Sequence, residues 1–414
     1  MSFDYVQRHA DAVVSDLLGG FPALMLTGSR GCGKTTTAAR NSASVIRLDD
    51  RAQASAFSTY PDDFLKTAVR PVLIDEWQEV PESLASVKRA VDQNHAPGQF
   101  LITGSVRSRF VSGSWPGTGR IVPVRMWGFT QAESVGNPGC NLDWLWAPET
   151  IKPGTLHAAP TILDYAEMAL AGGFPQAIHL SPAHRATWYE GYVDQLIHHD
   201  VIQLADVRAT AALGRLLTAT AINTAGTPSV ASLAQAIGAD QRTVTNHLDA
   251  LEEMHVIQRM QPWFRNQMVR LVKSRKYYVT DAGLAASLIH ADISILKSNG
   301  KVLGQLIDTF VTAQIRPLAD LAQPRIGMFY VRSQDGRHEV DIVLEAPGRG
   351  IVGIEVKSAS SVNPHDARHL TWLQGQVQDE FVAGYVFHSG TSIFPLGSNQ
   401  WAVPIAALWQ GVTP

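Results

Sequence analysis

The stretch GSRGCGKT, residues 28–35, matches the pattern G-x-x-x-x-G-K-[ST] at every fixed place. An apolar run precedes it at 22–27, and a polar, alanine-rich segment with helical character follows it. This order has physical meaning because glycines let backbone N–H groups turn inward around phosphates, and the start of a helix adds partial positive charge. The stretch therefore predicts a phosphate-binding loop in an α/β domain.

The side chains of this loop suit a nucleotide. Lys34 is expected to sit on the β and γ phosphates, with Thr35 on a magnesium ion. An ordinary glycine-rich turn is the alternative. The residues expected to contact the nucleotide are Gly28, Ser29, Arg30, Gly31, Cys32, Gly33, Lys34, Thr35 and Thr36.

A second signal favours the nucleotide site. Residues 70–76 (RPVLIDE) form an apolar strand that ends in two carboxylates, as a Walker B strand does. Asp75 is expected to hold magnesium through water, and Glu76 is expected to polarise the attacking water. Two acids that merely cap a strand would explain neither the spacing nor the chemistry that pairs with Lys34. We therefore expect a P-loop ATPase with ATP and Mg²⁺ as cofactors, although the preference for ATP over GTP stays open.

Two further runs complete this domain. Residues 100–105 (FLITGS) are apolar and end in hydroxyls, where P-loop ATPases keep a polar sensor of the γ-phosphate, so Thr103 or Ser105 is a candidate. A serine-capped edge turn is the alternative. Residues 44–50 (SVIRLDD) predict another short strand, and we expect the two phosphate-binding strands to be separated in the sheet by a further one.

The pieces GSRGCGKTTT, VIRLDD, PVLIDEWQEVP, FLITGS and GRIVPVRMWGFTQAE resemble the AAA-type ATPase module of bacterial and archaeal proteins that carry a C-terminal domain of unknown function numbered 4143. The resemblance spans nearly the whole chain. That family usually has glutamine and valine where this sequence has Gly31 and Cys32, which is a conservative departure for phosphate binding, whereas Arg30 matches. The resemblance makes Arg120 a candidate sensor of phosphate charge, in its own subunit or across a subunit boundary of a homo-oligomer. A surface ion pair is the alternative.

Composition excludes several classes of protein. The 414 residues are 45% hydrophobic and 17% charged, which indicates a globular chain of two to three domains at roughly 150 residues each. No apolar stretch is long enough to span a membrane and no signal peptide is evident, so we expect a cytoplasmic protein. Two cysteines cannot build a disulfide framework or a zinc site. The net charge of −3 means that contact with nucleic acid needs a local basic patch.

The middle of the chain predicts such a patch. Residues 136–160 are rich in proline and glycine and are interpreted as a linker, and helices follow. From residue 229, one helix with Leu233, Ala234 and Ile237 buried, a turn at Gly238, and a second helix capped by Asp240 have helix-turn-helix spacing. The buried stripe of the second helix is Val244, Leu248 and Leu251.

The opposite face of the second helix is expected to be exposed, where a recognition helix would meet DNA. The residues on this face are Arg242, Thr243, Asn246 and His247. Residues 259–276 then carry six basic residues and no acid, interleaved with Trp263 and Phe264. The basic residues are Arg259, Arg265, Arg270, Lys273, Arg275 and Lys276. This pattern predicts a winged helix that binds DNA phosphates, while docking of a protein partner is the alternative.

The last part of the chain predicts a hairpin with facing acids. A turn centred on Gly348 pairs residues whose numbers sum to 696, which places Asp341 opposite Glu355. Like charges in this position need a cation or exposure. Glu355 and Lys357 share one face because they lie two residues apart.

This arrangement is similar to the PD-(D/E)xK nuclease core, in which two acids bind magnesium and the lysine steadies the attacking water or the scissile phosphate. A helix acid often completes the set, and Asp308 stands here where glutamate is more frequent. Such folds often lose activity, and residues 286–414 carry more acids than bases, which is poor for gripping DNA. Whether this domain cleaves stays open.

The sequence thus predicts an α/β multidomain protein. An AAA-type P-loop ATPase sheet with helices at 1–135 is followed by the linker at 136–160, a helical region at 161–285 with a winged helix at 229–285, and a restriction-endonuclease-like α/β domain at 286–414. We expect ATP-dependent action on DNA. The alternative is a nucleotide-switched regulator that docks proteins and carries an inert C-terminal domain.

Overall fold

The computed structural model of this protein describes residues 5–104, 118–200, 210–264, 274–333 and 335–412. These residues form one five-stranded sheet, one seven-stranded sheet and a two-stranded hairpin, with helices packed against them.

The first sheet is parallel and carries the glycine loop. Its strands are β1 (Ala23–Thr27), β2 (Ser44–Arg47), β3 (Val72–Asp75), β4 (Phe100–Gly104) and β5 (Ile121–Arg125), in the order β2-β3-β4-β1-β5. The helices around it are α1 (His9–Gly20), α2 (Lys34–Arg40), α3 (Arg51–Thr59), α4 (Pro61–Thr67) and α5 (Ser83–Gln93). Strands β3 and β4 are buried along their whole length, as expected of a parallel sheet covered on both faces. The two phosphate-binding strands are separated as predicted, by β4, whereas β2 lies at the sheet edge.

The segment 136–160 differs from the free linker expected from its composition. After a short helix α6 (Gln131–Ser134), it forms two turns of 3₁₀ helix and strand β6 (Gly154–Thr155). Leu142, Leu145 and Ile151 are buried in the core beneath the seven-stranded sheet. Tyr385 also donates a hydrogen bond to the carbonyl of Leu145 at 2.9 Å. Proline and glycine prevent long elements here, but the apolar side chains between them fix the segment to the C-terminal sheet.

The middle of the chain is helical. Its helices are α7 (Ile162–Ala171), α8 (Pro182–Gln195), α9 (Thr210–Ile222), α10 (Val230–Ile237) and α11 (Gln241–Glu253). Strands β7 (Ile257–Met260) and β8 (Lys276–Val279) pair antiparallel, and α12 (Ala282–Leu288) and α13 (Ile293–Ser298) follow. The predicted Asp240 cap is confirmed, because its carboxylate accepts from the backbone N–H of Thr243 at 2.9 Å. The six apolar residues predicted to be buried on α10 and α11 are buried.

The core of this helical region extends beyond residue 285. Leu288, Leu296 and Leu306 are all buried in it. The beginning of the long helix α14 (Gly300–Leu321) therefore belongs to the same core as the helices before it. The boundary expected at 285/286 falls inside a packed unit.

The C-terminal sheet has the order β6-β13-β14-β12-β11-β10-β9. Its further elements are β9 (Gly327–Arg332), β10 (Glu339–Ala346), β11 (Gly350–Lys357), α15 (Arg368–Val377), β12 (Phe381–His388), β13 (Ser392–Gly397), β14 (Gln400–Pro404) and α16 (Ala407–Gln410). Ile342 pairs with Ile354, which confirms the predicted register. Strands β9, β10 and β11 run antiparallel to their neighbours, whereas β12 runs parallel to β11.

Both edges of this sheet are covered by earlier parts of the chain. Strand β6 pairs with β13 at one edge. At the other edge, the backbone of Trp263 donates to the carbonyl of Tyr330 at 2.6 Å, and Tyr330 donates to Gln261 at 3.2 Å. Within the described part of the chain, none of the helices is long and apolar enough to cross a membrane.

Candidate functional site

The glycine loop lies at the carboxyl edge of the first sheet, between β1 and α2. Gly31 and Gly33 have φ angles of 78° and 101°, which are strained for residues with a side chain. Gly28, Ser29, Cys32 and Lys34 of the loop are buried, and Arg30, Gly31 and Thr36 are exposed. Gly33, a fixed glycine of the matched pattern, and Gly31, at one of its variable places, therefore stand where the backbone favours glycine.

Four side chains meet at this edge. Thr35 Oγ1 donates a hydrogen bond of 2.8 Å to Asp75 Oδ1, and Thr103 Oγ1 donates to the same oxygen. Lys34 is only 5% exposed. Its Nζ donates hydrogen bonds to the carbonyl oxygens of Gly28 at 3.1 Å and Ser29 at 3.0 Å. The three strands predicted to supply the nucleotide site thus place their polar residues together. Ser105 lies outside the described residues.

These groups fit a magnesium ion. One hydroxyl and one carboxylate converge beside Lys34, and oxygen atoms are the ligands that Mg²⁺ prefers. Thr35 and Asp75 are the residues that would hold it.

Glu76 lies directly after β3 in the left-handed region, with φ and ψ both 54°. Gln78 Nε2 donates a hydrogen bond to its carboxylate. Burial raises the pKa of Glu76, and the neighbouring Asp75 raises it further, while Gln78 and Lys34 oppose the shift. The sequence did not single out Gln78, although its place two residues after Glu76 is visible there.

Arg120 does not reach this site in its own subunit. Ile121 pairs with Ala23 at the start of β1, whereas the glycine loop follows Thr27 at the other end. Arg120 donates to Asp92 at 2.9 Å and its side chain is 41% exposed. Because β1 and β5 are parallel, the start of β5 lies beside the start of β1. Arg120 therefore forms a surface ion pair at the sheet edge opposite the glycine loop.

Arg8 supports the loop from below and was not anticipated. Its Nη1 donates to the carbonyl of Cys32 at 2.8 Å, and its Nη2 donates to that of Trp127 at 2.7 Å. Its Nε pairs with Glu133 at 3.0 Å, and the residue is only 5% exposed. One arginine therefore joins the glycine loop to the segment after β5. A lone Arg before a helix offers no sequence signal for this role.

The helical region also touches the loop. Tyr192 donates a hydrogen bond of 3.2 Å to the carbonyl of Arg30. In the turn 172–175, the carbonyl of Gly173 accepts from Phe129 at 2.6 Å, and its N–H donates to Asp281 at 2.6 Å. A β-carbon on Gly173 would lie 2.5 Å from the carbonyl oxygen of Phe129, so this close approach requires glycine.

The exposed face predicted for α11 is present only in part. Arg242 and Asn246 are exposed on α11. His247 was predicted to share that face, but it is 5% exposed and turned towards the core. The hydroxyl of Thr243 donates a hydrogen bond of 2.6 Å to the carboxylate of the capping residue Asp240. The helix face is therefore narrower than the sequence pattern predicted.

The basic segment 259–276 is also changed by its partners. The Arg259 side chain is 10% exposed and pairs with Glu252 and Asp249. Trp263 is 5% exposed and donates to Glu345 at 2.9 Å, so it is not a free stacking surface. Arg265, Arg270 and Lys273 lie outside the described residues.

Lys276 was predicted to belong to the exposed basic patch, but it is buried, with only 1% of its surface exposed. Its Nζ lies 3.0 Å from Asp308 Oδ2 and 2.9 Å from Asp341 Oδ1. Burial disfavours the ammonium, but Asp308 and Asp341 outweigh it and raise the pKa of Lys276. Burial by itself would raise the pKa of Asp341, but the charges of Lys276 and Lys357 outweigh it, so the pKa of Asp341 is lowered.

Glu355 completes this carboxylate cluster. It is 2% exposed, its Oε2 accepts from Lys357 at 2.9 Å, and its Oε1 has no partner among the described atoms. Burial raises the pKa of Glu355 to about 8, and the Asp341 charge adds to this. The predicted neighbours thus lie together.

A metal ion does not fit this cluster as it stands. The ammonium of Lys276 lies between Asp308 and Asp341, so it already supplies the cation that facing acids require. The described ranges contain no group of three or more His, Cys, Asp or Glu residues that could hold a metal. Asp308, Asp341 and Glu355 therefore form an internal ion-pair cluster with Lys276 and Lys357 instead of the expected magnesium site. The sequence pattern missed it because the cation comes from another part of the chain.

Residues 20–135 match an AAA domain. Residues 162–294 match a domain of unknown function, DUF8612, and residues 303–408 match another, DUF4143. The AAA match and the Walker residues together support an AAA-type ATPase with a C-terminal DUF4143 domain.

Relatives and solved structures give broader likenesses. The chain is 28% identical over 403 residues to uncharacterized proteins of Mycobacterium tuberculosis and Mycobacterium bovis, covering 96% of this chain and 83% of each relative. A Walker-type ATPase of Pyrococcus abyssi superposes with a TM-score of 0.44 at 15% identity, covering 69% of this chain and 96% of that one. AMPPCP-bound DnaA from Aquifex aeolicus gives a TM-score of 0.26 at 14% identity, covering 59% and 86%.

Proposed function

We propose that this protein hydrolyses ATP in its AAA domain and uses the cycle to change how its other modules hold DNA. The observation that carries the first half is the cluster of Thr35, Asp75 and Thr103 beside Lys34. In this proposal Lys34 is the phosphate-binding cation, Thr35 and Asp75 are the metal-binding pair, and Thr103 is the polar sensor. Bound magnesium would neutralise phosphate charge there.

In this proposal Glu76 orients the attacking water. Its carboxylate follows the buried strand directly and is held by Gln78, so its position does not depend on a flexible loop. Burial raises the pKa of Glu76, which makes its carboxylate a stronger base than that of an exposed glutamate. Thr103, through Asp75, would respond to the γ-phosphate.

DNA action rests on the middle of the chain. Helices α10 and α11 followed by the β7–β8 hairpin have the element order of a winged helix, and Arg242 and Asn246 are exposed on α11. We assign phosphate contacts to Arg265, Arg270 and Lys273, which belong to the segment between the two strands. Contact of Tyr192 and the 172–175 turn with the AAA domain supports communication between the two sites.

The second candidate is a nucleotide-switched regulator that docks a protein. Lys276 favours the inert C-terminal domain of this alternative, because its ammonium pairs with Asp308 and Asp341, two of the acids that a catalytic metal would need. Under either candidate we propose that the nuclease-like domain of this chain does not cleave DNA.

The test is ATP turnover by the full chain with and without duplex DNA. The proposal expects turnover that rises with DNA and disappears in Lys34→Ala. Turnover that ignores DNA, together with no DNA binding by the same preparation, would leave the regulator as the better reading. Absence of turnover in both conditions would reject the ATPase itself.

A further inference from the structure

Two carbonyl oxygens of the glycine loop accept hydrogen bonds from residues outside the loop. The carbonyl of Cys32 accepts from Arg8 Nη1 at 2.8 Å. The carbonyl of Arg30 accepts from the hydroxyl of Tyr192 at 3.2 Å. Arg8 comes directly before α1 and Tyr192 lies in α8, so two distant parts of the chain hold alternate peptide groups of the loop.

These two contacts fix the direction of two backbone donors. A peptide group is planar and trans, so its N–H points away from its own carbonyl oxygen. The carbonyl of Arg30 shares a peptide group with the N–H of Gly31, and the carbonyl of Cys32 shares one with the N–H of Gly33. Because a donor outside the loop holds each carbonyl, both glycine N–H groups are turned to the opposite side of the chain, as the backbone donors of a phosphate cradle must be.

The guanidinium of Arg8 is itself held in place. Its other two nitrogens bind Glu133 at 3.0 Å and the carbonyl of Trp127 at 2.7 Å, and it lies over the ring of Phe129, 4.5 Å from the centroid. A β-carbon on Gly33 would lie 3.0 Å from Arg8 Nη1, so glycine at this place leaves room for the guanidinium. Every nitrogen of this buried side chain has an acceptor, which leaves its contact with the loop little freedom to move.

The ring of Tyr192 is also held by its neighbours. It stacks on Trp188, with the ring centroids 5.3 Å apart and 19° between the planes. The ring of Phe174, in the 172–175 turn, lies 4.9 Å from it. These aromatic contacts fix the position of the phenol oxygen, and all three rings belong to the helical region and not to the first sheet.

We propose that Arg8 and Tyr192 are positioning residues of the ATP site, which hold the glycine loop in its phosphate-binding shape before ATP arrives. This inference rests on the proposed binding of ATP to that loop. Both side chains act through the loop backbone and not through contact with ATP. Donors that are already in place cost no rearrangement when the ligand binds, so loss of either contact lowers the affinity for phosphates and leaves the chemical step unchanged.

The main test is Tyr192→Phe in the full chain, because it removes one hydroxyl and keeps the packed ring. The KM for ATP should rise about three- to tenfold, the equivalent of one hydrogen bond, while kcat changes by less than about twofold. Arg8→Lys keeps a positive charge beside Glu133 but loses the planar fork, and it should raise KM about 10- to 100-fold. Titration with ADP should show the same losses of affinity, since ADP keeps two phosphates and is not turned over.

The matched control is Tyr60→Phe, which removes the hydroxyl of a tyrosine that is 66% exposed and should keep the parent's KM. A merely structural role would reduce the fraction of folded protein, which lowers kcat and leaves KM unchanged. Either residue therefore loses its assigned role if its variant keeps the parent's KM, or if kcat alone falls. Tyr192→Phe decides the proposal if Arg8→Lys does not fold.

Failure of the ATP site itself would give a different result. A parent protein that neither binds ADP nor turns over ATP would reject the proposed function, and the positioning role with it. A parent that does both, beside variants with unchanged KM and unchanged ADP affinity, would reject the positioning role alone.

Discussion

Lys276 Nζ lies 2.9 Å from Asp341 Oδ1, and this contact joins the β7–β8 hairpin to the C-terminal sheet. Asp308 on α14 binds the same ammonium at 3.0 Å. One buried lysine therefore holds three elements together through two carboxylates that are mostly buried.

Replacing Lys276 by Met should be strongly destabilising, because it leaves Asp308 and Asp341 buried without their cation. Loss of one partner from a buried ion pair typically costs about 3–5 kcal/mol. Urea unfolding of the full chain measures this loss. The exposed Lys301→Met is the control and should change the free energy of unfolding by less than about 0.5 kcal/mol.

The same variant tests the metal correction. Manganese should not raise the melting temperature of the parent in the absence of nucleotide, but should partly restore Lys276→Met, where the acids lack a cation. Metal-dependent nicking of DNA by the parent would contradict the inert reading of this domain.

Lys34→Ala and Glu76→Gln should fail at different steps of ATP hydrolysis. Loss of the Lys34 ammonium should weaken ATP binding by about 10- to 100-fold, because a charge-assisted contact is removed. Glu76→Gln should bind ATP normally and lose at least about 100-fold in turnover. Nucleotide titration and phosphate release separate the two effects. Normal turnover by Glu76→Gln would remove Glu76 from its assigned role.

DNA binding should depend on Arg265, Arg270 and Lys273 through charge alone. Each replacement by Ala should reduce the salt dependence of binding by roughly one unit of slope, with little change in sequence preference. Arg337→Ala serves as the control. A triple variant with the parent's salt slope would place the DNA surface elsewhere.

Glu355 should make stability fall as pH rises. Its pKa is about 8 in the folded protein against an ordinary 4.5, so the folded state binds more protons between these values. This group alone should then lower the free energy of unfolding by about 1.4 kcal/mol per pH unit, until pH passes about 8. Glu355→Gln should remove that slope in urea unfolding from pH 5 to 9. Exposed Glu167→Gln should retain it, and an unchanged slope in Glu355→Gln would contradict the assignment.

Local patterns predicted much of the fold because they report on one strand, one loop or one turn. The glycine loop, the acids after β3 and the hairpin register follow from spacing within short windows. The pairing of Ile342 with Ile354 follows from the turn at Gly348 alone.

The errors concern contacts between distant segments. The residues next to Lys276 in sequence carry no acids, so it was predicted to be a free base, yet its partners Asp308 and Asp341 come from other elements. Arg259 pairs with acids of the preceding helix α11, just outside the basic segment. The position of Arg120 depends on the order of the strands in the first sheet. Residues 136–160 are held in place by packing against a sheet whose strands come later in the sequence. Periodicity contains no information about such partners.

The covered edges of the C-terminal sheet affect the risk of aggregation while the chain is being synthesised. Strand β6 and residues 261–263 are synthesised before the sheet whose two edges they close. The emerging sheet thus meets its edge partners at once, and unpaired strands are the surfaces through which nascent chains aggregate. A variant that begins after residue 263 would lack both partners, so it should aggregate more readily than the 414-residue chain.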